Sequence, residues 1–202
     1  MTLFFSKISL RRLVAMAGSL IVGFTAETFA ALQAPLAPPV ELFGFSGNAN
    51  EPAWVAVNDG VMGGVSSGDA KLIAGSLHFR GVLSLENNGG FSSIRSRGPI
   101  RNFSKVKSIV LRLKGDGRTY RLQLATNAEF RRARVSYQAE FRTTLGEWTE
   151  VSVPLASFVP MFRGQTLSGP PMDRAQIEEI GISLSDGKPG KFLLEIDWIS
   201  TE

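Results

Sequence analysis

The stretch Arg132-Ala133-Arg134-Val135-Ser136-Tyr137-Gln138-Ala139-Glu140-Phe141-Arg142 decides the fold class. Ala133, Val135, Tyr137, Ala139 and Phe141 fall on one side of an extended chain; Arg132, Arg134, Ser136, Gln138, Glu140 and Arg142 fall on the other. This alternation matches the two-residue period of a strand that buries one face and wets the other. Working outward, the same period recurs at Ile180, Ile182 and Leu184, and again at Phe192, Leu194, Ile196 and Trp198. Upstream, strands are expected over 108–114 and 118–125, joined as a hairpin by Gly115-Asp116-Gly117, and over 72–74 and 77–83, joined at Gly75-Ser76. Further strands are expected over 53–57, 90–96 and 148–153. Residues 173–179 alone predict a helix, with Asp173 as its N-cap. Many short strands, turn residues between them and no internal repeat predict an all-β, antiparallel β-sandwich of jelly-roll type.

The chain has 202 residues, 44% hydrophobic and 20% charged, which suits one folded domain with a short leader rather than a disordered segment. Having no cysteine, it carries no disulfide framework, thiolate nucleophile or zinc ribbon. Its one histidine, His78, leaves no multi-histidine metal site. The acid pairs Asp59 with Glu86 and Glu195 with Asp197 are the candidates for two-carboxylate hydrolysis, yet the sequence sets neither in an apolar pocket. The expectation is a non-enzyme with no catalytic residue, no metal and no cofactor.

Residues 1–30 read as a targeting segment. Lys7, Arg11 and Arg12 precede an apolar run from 13 to 24, and Thr28 and Ala30 sit where a cut before Ala31 needs small residues. A spanning helix needs about 20 apolar residues, so a secretory signal exporting the domain is preferred over an uncleaved membrane anchor or a mitochondrial presequence leading to the matrix. Residues 31–41, with Pro35, Pro38 and Pro39, are expected to form a linker, and residues 42–202 the domain.

Charge is unevenly spread. Residues 95–142 hold thirteen bases against Asp116, Glu129 and Glu140, a balance of +10, whereas 143–202 balance at −5 and 31–94 at −3. Either the central strands offer a basic surface, with Arg132 and Arg134 at its heart, to an anionic surface or glycan, or the acidic flanks neutralise them in space. No aromatic residues interleave the run as base-stacking platforms, so no nucleic-acid partner is expected.

Four stretches stand out as a set: Trp54-Val55-Ala56-Val57-Asn58-Asp59-Gly60-Val61-Met62-Gly63-Gly64-Val65-Ser66; Leu83-Ser84-Leu85-Glu86-Asn87-Asn88-Gly89-Gly90-Phe91-Ser92-Ser93-Ile94-Arg95; Gly115-Asp116-Gly117-Arg118-Thr119-Tyr120; and Gly146-Glu147-Trp148 through Val153-Pro154-Leu155 and Phe158 to Arg163-Gly164. In this order and spacing they resemble the complex I intermediate-associated protein 30 family. The resemblance implies a galactose-binding-like jelly roll. It also implies an assembly factor, or chaperone, that binds protein subunits of a membrane electron-transfer complex, the NADH:ubiquinone oxidoreductase.

Read from the residues themselves, the glycines shape two loops, Asn58 and Asp59 bond to nearby backbone, and Tyr120, Trp148 and Phe158 pack in the core or under loops. The sharper expectation is that both loops lie together and contact a partner through Asn58, Asp59, Met62, Gly63, Gly64, Ser66, Asn87, Gly89, Gly90 and Phe91, with Arg132 and Arg134 adding charge. The alternative is an exported carbohydrate-binding module in which Trp54, Asn58 and Asp59 hold a sugar, sometimes beside a structural Ca²⁺.

Overall fold

The computed structural model describes residues 39–46 and 53–202; the expected leader and most of the linker lie outside the described residues. In chain order the strands are β1 (Val40–Gly44), β2 (Trp54–Asn58), β3 (Ser67–Ile73), β4 (Ser76–Leu83), β5 (Ser92–Arg101), β6 (Ser108–Lys114), β7 (Thr119–Phe130), β8 (Ala133–Arg142), β9 (Trp148–Pro154), β10 (Val159–Phe162), β11 (Gln165–Thr166), β12 (Ile177–Leu184) and β13 (Gly190–Thr201). They form two antiparallel sheets. One runs β3-β4-β13-β6-β9 with β1 also on β13, and the other runs β11-β10-β8-β7-β12-β5-β2.

The alternation read from the sequence builds the core. Leu77 and Phe79 of β4, Ile109, Leu111 and Leu113 of β6, and Leu194 and Ile196 of β13 point inward from the first sheet. They meet Tyr120, Leu122 and Leu124 of β7, Val135 and Tyr137 of β8, and Ile180 and Ile182 of β12. Phe79 bridges the sheets: its ring lies 4.9 Å from that of Phe192 and 6.3 Å from that of Tyr120, both edge-on.

Five local expectations are corrected. Residues 173–179 are not a helix. Asp173 Oδ1 accepts the Ala175 N–H, closing a turn, and Ile177 then opens β12 against β5 and β7. A two-turn helix cannot recover its nucleation cost, whereas Ile177 and Ile180 gain full burial as strand residues. Gly115-Asp116-Gly117 is not a hairpin either, because β6 and β7 belong to different sheets. Asp116 instead ties this crossover down: Oδ1 accepts from Arg118 N–H, and Oδ2 accepts from the Tyr120 hydroxyl and from Leu193 N–H of β13. The β3–β4 turn falls one residue earlier than expected, with Ala74 and Gly75 both left-handed. Trp148 is 40% exposed on the edge strand β9, not in the core, with Lys114 5.6 Å from its ring. A bulge at Ile196–Trp198 also shifts the late alternation, so that Ile199 takes the core position.

The acidic C-terminal segment neutralises much of the basic middle. Arg97 pairs with Glu179 at 2.9 Å, Arg112 with Asp197 at 3.0 Å, Lys114 with Glu195 at 2.9 Å, and Arg134 with Glu178 at 2.6 Å. Arg118 and Asp186 form the least exposed pair, at 2.6 Å. Burial works against the Asp186 carboxylate, but its hydrogen bonds from Arg118 outweigh this and hold its pKa below the ordinary value.

Phe79→Ala should lower the unfolding free energy by about 3–5 kcal/mol, because it empties the site that joins both sheets. Urea unfolding is expected to show a lower midpoint with an unchanged slope.

Candidate functional site

The two glycine-rich loops meet at one end of the sandwich, and Asp59 holds them together. β2 and β5 pair with Asn58 opposite Ser92, which brings the chain leaving β2 beside the chain entering β5. Asp59 opens a single 3₁₀ turn (Asp59–Met62) and is completely buried. Its Oδ1 accepts the Ser66 N–H at 2.9 Å, and its Oδ2 accepts the N–H groups of Gly90 at 2.7 Å and Phe91 at 3.2 Å. Its own N–H donates to the Phe91 carbonyl at 3.3 Å, and its carbonyl accepts from Gly64 N–H at 3.1 Å. One residue therefore satisfies backbone groups of both loops, as a buried carboxylate must if it is to keep its charge.

Neighbours complete the clasp. Asn58 Nδ2 donates to the Gly68 carbonyl at 3.1 Å, while Asn58 Oδ1 accepts the Ser92 hydroxyl at 2.7 Å. The Ser66 hydroxyl donates to the Ser84 carbonyl and accepts the Ser84 N–H, stitching the first loop to the approach of the second. Two of the glycines are needed for space. A Cβ on Gly64 would sit 2.4 Å from Asp59 Cγ, and one on Gly89 would sit 2.6 Å from Asp59 Oδ2. Gly63 is needed for conformation, ending the 3₁₀ turn at φ 90°.

The residues expected to contact a partner thus divide into three groups. Asp59 and Ser66 are buried, and with Asn58, Gly64, Gly89 and the backbone of Gly90 and Phe91 they make the scaffold. Met62, Gly63 and Asn87 are exposed on its surface. Arg132 and Arg134 lie elsewhere: the ladder runs Val57–Ser93–Ser183–Arg121 near the loops, and β7 continues from Arg121 to the far end, where Phe130 pairs with Ala133. Arg134 is paired with Glu178 there.

Sequence reasoning named Met62 but missed Val61, Val65 and Leu85, the other apolar side chains that the scaffold displays. Val61 is 76% exposed and Met62 61%, and Val65 and Leu85 are also exposed. The available signal was the presence of valine, methionine and leucine inside loops whose other members are Gly, Asn and Ser. Exposed apolar residues gathered on rigid loops mark a contact surface more strongly than the same residues scattered singly.

The residues named for other chemistries are engaged. Trp54 packs edge-on against Phe43 at 5.2 Å and Phe45 at 6.2 Å. Glu195 faces Lys114 and His78, and Asp197 faces Arg112. Among the described residues no group of three His, Cys, Asp or Glu side chains could hold a metal ion. A hollow of about 940 Å³ on the outer face of the first sheet runs between Asp69, His78, Arg80, Val82, Lys191 and Leu193 and reaches Asn58 and Gly68 beside the clasp.

The sequence profile of the Complex I intermediate-associated protein 30 family matches residues 43–196, spanning both loops and nearly every strand. The chain belongs to that family. A relative in Mus musculus, "Complex I intermediate-associated protein 30, mitochondrial", is 29% identical over 167 residues. The match takes in 72% of this chain and 51% of the mouse protein, so the chain spans about half the length of that relative. Among solved structures, a family 11 carbohydrate-binding module from Clostridium thermocellum superposes with a TM-score of 0.64 at 17% identity, covering 83% of this chain and 96% of the module. A family 30 module from the same organism gives 0.54 at 12% identity, covering 82% and 98%. These likenesses establish the jelly-roll sandwich fold of the family member described here.

The Asp59 carboxyl titrates low. Burial alone would raise its pKa, but the hydrogen bonds from Ser66, Gly90 and Phe91 outweigh burial and hold it below the ordinary 3.8. The stabilisation it contributes is therefore fully present above that value and lost as pH falls through the lower folded-state pKa. Asp59→Asn should cost about 1–3 kcal/mol at neutral pH and should flatten the acid limb of the stability curve. Chemical denaturation between neutral pH and pH 3 measures both effects.

Proposed function

We propose that this domain is a non-enzymatic protein-binding factor for assembly of a membrane electron-transfer complex of the NADH:ubiquinone oxidoreductase type. It masks an incompletely assembled subunit through Val61, Met62, Val65 and Leu85. The observation that carries this reading is the display of those four apolar side chains on two loops that Asp59 has already ordered. A preordered apolar surface binds without the entropic cost of fixing its loops, and a methionine with branched aliphatic neighbours adapts to a partner's shape. Family membership supplies the class of client, and the name of the mouse relative favours the organellar reading of residues 1–30 over export.

Family membership favours this reading over the carbohydrate-binding alternative, whose named residues are engaged within the fold. Trp54 is packed against two phenylalanines, and Asn58 and Asp59 spend their polar atoms on the loops.

In cells that depend on this protein, Val61→Asp with Met62→Asp should leave its abundance and melting temperature unchanged. The same change should cause subcomplexes of the oxidoreductase to accumulate on native gels. Normal assembly with the doubly substituted protein would refute the loop surface.

A further inference from the structure

The far end of the seven-stranded sheet carries a second surface that the loop clasp does not use. The β7–β8 hairpin turns through Arg131 and Arg132, with Phe130 paired to Ala133; the adjacent β10–β11 hairpin turns through Arg163 and Gly164, with Phe162 paired to Gln165. Because β10 is antiparallel to β8, both tips emerge at the same end. The two phenylalanine rings meet edge-to-face at 5.3 Å. Arg131 lies over the Phe130 ring at 5.2 Å, and Arg163 over the Phe162 ring at 5.4 Å. Each guanidinium thus lies over one ring of a half-buried, edge-to-face phenylalanine pair, with Arg132 next in the chain to Arg131.

These arginines are costly choices for the turns they occupy. Arg131, Arg132 and Arg163 adopt φ of 52°, 62° and 48°, in the left-handed region where a two-residue hairpin turn favours Asn or Gly. A residue that is poor for its turn and exposed to solvent is explained by what its side chain meets. Other arginines of the sheet are paired: Arg134 with Glu178, Arg121 with Glu140, Arg97 with Glu179. Among the described residues Arg131, Arg132 and Arg163 have no carboxylate partner. The nearest acid in the ladder, Glu129, stands opposite Arg134.

We infer that these paired hairpin tips dock on an anionic phospholipid surface, the guanidinium forks taking lipid phosphates while the two phenylalanines lie at headgroup depth. Fork-shaped donors match phosphate oxygens, and aromatic rings favour the interfacial layer. Two projecting tips in one row suit a broad, flat anionic layer better than a single acidic peptide, which calls for a groove between them. The inference stands apart from the protein contact proposed above, because the loops occupy the opposite end of the same sheet.

The test is flotation of the full chain with vesicles of phosphatidylcholine alone and of phosphatidylcholine containing phosphatidylglycerol. The readout is the difference between the two, which an apolar segment common to all variants does not alter. The native protein should favour the anionic vesicles at least tenfold, on the order expected for a few screened charges, and added salt should release it. Arg131→Asn, Arg132→Gly and Arg163→Asn together install residues suited to the turns, so the melting temperature should hold or rise while the anionic preference disappears. Native protein that does not discriminate, a triple variant that still does, or native binding to poly-glutamate but not to vesicles would each overturn the inference. Retained client assembly by the triple variant would keep the loop-borne function standing whichever way the vesicle result falls.

Discussion

The buried Asp59 carboxylate is the constraint on which the clasped-loop end of this molecule depends. Two loops far apart in sequence converge where β2 meets β5, and each brings backbone N–H groups with no strand partner. Left unpaired at a buried position, those donors would each carry a desolvation penalty. Asp59 accepts three of them and stays ionised in doing so. The glycines around it follow from that choice, since Gly64 and Gly89 leave the space that the carboxylate fills. The Asn-Asp-Gly and Gly-Gly signatures are thus the means of fixing a surface, and the surface itself is made of their apolar companions.

The rest of the sandwich keeps that end apart from the charge. The basic strands are neutralised on the sheet faces by carboxylates from the C-terminal third, in partly exposed pairs that individually contribute little to stability. They remove most of the basic patch that the +10 balance of residues 95–142 implies in the linear sequence. Of the charge left over, Arg131, Arg132 and Arg163 stand at the β7–β8 and β10–β11 tips, at the opposite end from the loops. The exposed apolar loop residues and the cationic tips are thereby separated by the length of one sheet.

How much of this was legible in the sequence depended on the range of the interaction concerned. Alternation over 132–142 fixed a strand because burial on one face is a local pattern. The same logic missed the bulge at Ile196–Trp198, which arises from register against β6. Gly115-Asp116-Gly117 has the chemistry of a tight turn, but whether it closes a hairpin or crosses between sheets depends on Asp116 reaching Leu193, 77 residues away. The two loops were legible as a unit. Their division of labour was not, because Asn58-Asp59-Gly60 has the composition of an exposed turn, and the burial of Asp59 is imposed by the amides of Gly90 and Phe91.

Site-specific photo-crosslinking in living cells tests the central claim most directly, with the reactive group placed at Met62 and, for comparison, at Leu193 on the outer face of the other sheet. Adducts from position 62 with a subunit or assembly intermediate of the oxidoreductase, and none from position 193, are the result expected if the clasped loops are the recognition surface. Adducts confined to position 193, or a position 62 that captures no subunit of the complex, would contradict it.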